Sequence, residues 1–230
     1  MRTKFLAIVA VLLLAGGAGY FATTRIDWTQ HSAAPTSYTT ADKQQNDLAQ
    51  HHAVAKLDNH YIQWKDAQFE YISVKTYYQS QQNTALKDPS KRASLAQQLI
   101  QMLANQQTIA SESAKRGITV SDAEVNDQVD KITQTAGGTT KVNEVLKTYY
   151  GWTLDDLHRK IKTQLLTSKL NTAIGGSTDQ GAPSLSSATS GLPPELDKLV
   201  KSDAGNSVNY YYRNSYEVIS NRLETAKFPY

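Results

Sequence analysis

The sequence predicts a mainly α fold: a helical domain with one short β-hairpin, preceded by a transmembrane helix and followed by a linker and a small strand-containing tail. Three observations predict it. Apolar residues recur by threes and fours from Ala93 to Leu170. Two hydroxyl-x-x-acidic boxes and three glycine stops cut that stretch into four helices. A short strand-like run turning at Asp58-Asn59 comes before it.

Arg2 and Lys4 precede an uncharged run from Phe5 to Ala22. At about 18 residues it is near the lower limit for a helix that spans a bilayer. A cleaved signal peptide would need small residues at its end, where Tyr20 and Phe21 stand, although Gly17-Ala18-Gly19 offers an earlier site. The anchor is therefore preferred over the cleaved signal for residues 1–24. The leading basic residues put the N-terminus in the cytoplasm and the rest of the chain outside. Residues 25–47, rich in Ser, Thr, Ala and Gln, have no periodicity and read as a tether. His51-His52 follows, but adjacent histidines point in different directions and no third ligand stands at suitable spacing, so no metal is expected.

The domain itself is expected over residues 48–171. After the hairpin, Gln63 to about Gln82 reads as a helix with Trp64, Phe69, Ile72 and Tyr77 inward, while Tyr61, Tyr71 and Tyr78 make its other face aromatic. Asp88 or Ser90 can cap the next, long helix, whose stripe is Leu95, Leu99, Met102, Leu103 and Ala110; it ends at Gly117, with Lys115 and Arg116 in the last turn to suit the helix dipole. Ser121 and Glu124 form a capping box that opens a helix carrying Val125, Val129 and Ile132, which Gly137-Gly138 closes. A shorter helix presents Val142, Val145, Leu146 and Tyr149 before Gly151 breaks it. Thr153 with Asp156 then caps a fourth, striped by Leu154, Leu157, Ile161, Leu165 and Leu170. Such helices are too weak singly and need one another's apolar stripes.

Residues 172–194 are rich in Gly, Ser and Pro and bury too little to fold. Residues 195–230 are expected to hold a short helix from Glu195 to Lys201, then a hairpin. In it Val208, Tyr210 and Tyr212 alternate, Arg213-Asn214 turns, and Tyr216, Val218 and Ile219 return.

Composition excludes several classes of function. The chain has 230 residues, a net charge of +3 and no cysteine. Scattered basic residues argue against a nucleic-acid surface. The lack of thiols excludes disulfides, thiol nucleophiles, thiolate metal sites and a lipid-modified cysteine anchor. No nucleotide loop, serine-hydrolase elbow or metalloprotease motif is present.

The run Gly117-Ile118-Thr119-Val120-Ser121-Asp122-Ala123-Glu124-Val125, the later glycine pair and Tyr150-Gly151-Trp152-Thr153 resemble the N-terminal domain shared by SurA and the PrsA foldases. Val54 to Ile62 is similar to that domain's opening, with Asn59-His60 where the family usually has Asn-Gly. The resemblance covers residues 52 to 170 and implies a chaperone of exported proteins. In such relatives a parvulin-type prolyl isomerase domain commonly follows. Here the tail is too short for one, and His158 is the single histidine beyond His60, so no catalytic residue transfers and no cofactor is implied.

The expected function is a membrane-tethered extracytoplasmic holdase for unfolded or newly exported polypeptides. Phe69, Ile72, Tyr77, Leu99 and Met102 are its candidate client-binding residues. Two alternatives stand beside it: an isomerase with a reduced parvulin module in the tail, for which Tyr216-Glu217-Val218-Ile219 has the look of a final strand, and a non-catalytic envelope scaffold.

Overall fold

The computed structural model describes residues 47–57, 60–176, 193–207 and 216–226. The expected membrane segment, residues 5–22, lies outside these, as do most of the two linkers and the run from Val208 to Tyr212. Among the described residues no helix is long and apolar enough to cross a membrane. A β-hairpin of β1 (Ala53–Leu57) and β2 (His60–Gln63) leads into α1 (Trp64–Ser80), followed by a short 3-10 turn, Ala85–Lys87. Then come α2 (Pro89–Lys115), α3 (Asp122–Ala136), α4 (Thr139–Val145, continued by a π-turn, Leu146–Tyr150), α5 (Leu154–Ala173), α6 (Pro194–Ser207) and α7 (Tyr216–Thr225). The described residues divide into two compact units, one of residues 108–201 and one of residues up to 107 together with those from 202 onward.

The first unit follows the punctuation in the sequence. Past α2 the Gly117 amide bonds to the Ala114 carbonyl and the Ile118 amide to that of Ser113, with Gly117 at φ 66°, a left-handed closure that a side chain would strain. The Ser121 hydroxyl accepts from the Glu124 amide, and the Glu124 carboxylate accepts from the Ser121 amide at 2.9 Å. Thr153 and Asp156 repeat the box on α5. α3 packs on α5, burying Val125, Val129 and Ile132 on one helix and Leu157 and Ile161 on the other. Leu154 and Leu165, expected in that stripe, are only half-buried. A second cluster joins Ile109, Leu170, Leu196 and Val200, each worth roughly 1.5–3 kcal/mol of burial. α6 thus belongs to the fold, and it runs past the expected end at Lys201 to Ser207. The π-turn changes one expectation: its wider turn carries Tyr150 inward, at 3% exposure, and leaves Tyr149 half-buried.

In the other unit the hairpin pairs Ala55 with Ile62 and Leu57 with His60, and a bulge between Ala53 and Ala55 breaks the alternation so that Ala53, Val54 and Ala55 are all buried. The Asp88 carboxylate accepts from the Ser90 amide at 2.8 Å and so caps α2, on which Leu95, Ala96, Leu99 and Ile100 are fully buried.

Two expectations are corrected here. Residues Tyr216 to Ile219 are not a returning strand: they open α7, which packs on α1. Ile219 and Leu223, one helical turn apart, are its buried pair, and a strand ending at Ile219 leaves Leu223 unused. With that strand goes the sequence basis for a parvulin remnant in the tail. α1 also buries a different face from the one expected. Trp64, Ala67, Gln68, Tyr71 and Val74 form its inner stripe, and Ile72 is turned outward.

Candidate functional site

α1 carries two surfaces, one open and one covered. On the open side Ile72 is 39% exposed, with Phe69 half-buried beside it one turn earlier. Tyr77 is also half-buried, but five residues from Ile72 is roughly 140° round a helix of 3.6 residues per turn, so it flanks this patch instead of extending it. Tyr77 and Tyr78 meet edge to face at 6.4 Å between ring centroids. Burial pushes both phenols above their usual range, and the Tyr77 ring adds to the shift at Tyr78. Each phenol offers an apolar ring with a polar tip for contact. Val218, 47% exposed, adds an aliphatic group on α7 of the same unit.

Leu99 and Met102 are placed differently. They are 0% and 8% exposed and belong to the buried side of α2. Of the five residues expected to meet a client, the structure brings Phe69 and Ile72 together, sets Tyr77 to one side, and keeps Leu99 and Met102 inside.

The covered surface of α1 is the seat of α7, which sequence reasoning missed. Its inner stripe is apolar apart from Gln68 and the phenol of Tyr71, and α1 also buries Glu70 and Ser73, at 5% and 4% exposure. The Gln68 amide, 4% exposed, donates to the main-chain carbonyls of Leu223 and Ala226, at the C-terminal end of α7 where carbonyls lack helical partners. The Glu224 carboxylate is held by Lys75 at 2.6 Å and Arg92 at 3.5 Å. The Arg222 guanidinium lies 4.3 Å above the Trp64 ring. Tyr71 is fully buried and its hydroxyl has no hydrogen-bond partner among the described residues. Burial pushes that phenol well up; the Glu224 charge adds to the shift and Arg92 opposes it, which puts the ring beside the ionic node. The signal for this site was available only as a pair of distant segments, α1 with its polar Gln68 and α7 with its four-residue aliphatic spacing.

A smaller polar cluster closes the N-terminal edge of the hairpin. The Tyr61 hydroxyl donates to Asp47 at 2.7 Å, Lys56 donates to Asp47 at 3.0 Å and to Tyr61 at 2.9 Å, and the His51 ring stacks on Tyr61 at 3.9 Å. The hydrogen bond from Tyr61, then that from Lys56, holds the Asp47 carboxyl below the usual range. These contacts satisfy one another. Among the described residues no group of three or more His, Cys, Asp or Glu could hold a metal ion.

A family model described as the SurA-like N-terminal domain matches residues 2–171. No curated protein and no solved structure matches the chain significantly.

Proposed function

Because this chain belongs to the SurA-like N-terminal domain family, we propose that it is a holdase for unfolded or newly exported polypeptides, tethered through residues 5–22 with its folded part on the outer side of the membrane. The observation that carries the reading is the exposed Ile72 beside Phe69 on the solvent face of α1. A client segment that exposes aliphatic and aromatic side chains gains burial there at about 25 cal/mol per Å² of apolar surface. A patch this small keeps the binding weak and reversible, as a holdase requires.

The test is suppression of aggregation. The full chain in detergent is added to several unrelated denatured proteins as they are diluted from denaturant, and light scattering is followed. Protection of most of them at stoichiometric concentration supports the holdase. Protection of none, with one stoichiometric partner recovered from envelope extracts, overturns it in favour of a scaffold. Flotation with liposomes, comparing the full chain with one begun at residue 25, tests the tether.

A further inference from the structure

The seat of α7 has properties that a permanent internal packing surface does not need. Its main-chain contacts come from a side chain, Gln68, which reads two carbonyl oxygens and is therefore indifferent to the sequence that supplies them. Its shorter ionic contact, Lys75 to Glu224, joins side chains still 31% and 29% exposed, so that pair lies at the rim, where water can replace the carboxylate, while the Arg92 Nε that also faces Glu224 is buried. α7 contributes one buried aliphatic pair, Ile219 and Leu223, from a helix of 10 residues. Beneath, the fully buried Tyr71 hydroxyl stays unpartnered among the described residues while α7 is in place. A buried hydroxyl left unmatched by the resident helix is one that another occupant, with a backbone carbonyl or amide in a different position, can satisfy.

We propose that this seat is a peptide-binding groove that the chain fills with its own α7, and that client segments carrying an aliphatic pair one helical turn apart, followed by a carboxylate, compete for it. The inference rests on the holdase reading and adds a second, gated surface to the open patch at Ile72. α7 acts in cis as a resident pseudo-client: it covers Trp64, Gln68 and Tyr71 when no client is present, and it sets a threshold that only strongly apolar segments pass.

The experiment uses the full chain in detergent. Ile219→Ala with Leu223→Ala weakens α7 without touching the groove, and a fluorescent peptide of residues 214–226 serves as the groove probe. The expected result is that the double variant binds the probe, that wild type binds it at least tenfold more weakly, and that affinity for an unfolded client rises severalfold in the variant and falls when unlabelled peptide is added. Glu224→Lys, which sets like charges against Lys75 and Arg92, should act in the same direction and guards against a misfolded double variant. If wild type binds client but loosening α7 by either route leaves affinity unchanged or lowers it, α7 is structural and the gated groove is overturned while the holdase stands. If neither wild type nor variant binds client, the holdase reading fails and this inference fails with it.

Discussion

The side-chain amide of Gln68 on α1 donates to the main-chain carbonyl of Leu223 at 2.9 Å, across 155 residues of sequence. With its second bond to Ala226 it caps the end of α7 from another helix, a task usually performed by a residue just beyond the helix itself. Replacing it with Ala removes the donor and leaves buried acceptors unmet, which costs about 1–3 kcal/mol. Gln68→Ala should therefore lower the unfolding free energy by that much in urea. Hydrogen exchange should show the amides of α7 opening before those of α5.

Tyr71→Phe should move stability the other way. The phenol is fully buried and its hydroxyl unpartnered among the described residues, so the wild-type protein carries a desolvated polar group with no return. Removing the oxygen while keeping the ring is expected to raise stability by about 1 kcal/mol, measured as an increased denaturation midpoint with unchanged slope. A loss of stability would mean that the hydroxyl is satisfied in solution.

Ile72 and Leu99 were indistinguishable as candidates in the sequence, and the structure separates them. Ile72→Ser changes an exposed position and should shift stability by no more than about 0.5 kcal/mol while reducing protection of aggregating clients. Leu99→Ala opens a cavity in a fully buried site and should cost about 2–5 kcal/mol. Its effect on client protection should then track the unfolded fraction. Paired denaturation and light-scattering measurements on both variants decide the matter.

What could be read from the sequence was local. Ser121 with Glu124, Thr153 with Asp156, and the closures at Gly117 and Gly137 all act within one turn of helix, so spacing alone specifies them. The inner face of α1 was misread for the opposite reason. Gln68 is polar and becomes an inner residue only because the carbonyls of α7 receive it, whereas the aliphatic Ile72, expected inward, is turned out. α7 itself was hidden because Tyr216 and Val218 stand two apart and are followed by β-branched Ile219, as in a strand, and only Leu223, one turn beyond Ile219, reveals the helical period. Tyr150 displaced Tyr149 from the interior because a π-turn shifts the phase, and periodicity counted at 3.6 residues cannot anticipate it.

The cap of α3 provides a prediction about acid. Glu124 accepts from Lys169, 2.6 Å away, and from the amide and hydroxyl of Ser121. The bond from Lys169, followed by those from Ser121, draws its carboxyl from the ordinary 4.5 down to about 2. A carboxylate with a depressed folded value contributes stability that is fully present above the unfolded value and is lost as pH falls through the folded one. The contribution should therefore be intact above about pH 5 and fade between there and pH 2. Lys169 also donates to the Thr119 carbonyl at 2.8 Å, so one ammonium ties α5 to the segment leading into α3, and protonating Glu124 loosens both ends of that strap. Wild-type protein should lose thermal stability steadily over this interval. Glu124→Gln, which keeps a side-chain oxygen for the Ser121 amide but has no charge to titrate, should start lower at pH 6 and show a flatter profile. Parallel profiles for the two proteins from pH 6 to pH 2 would show that Glu124 is not ion-paired to Lys169 in solution.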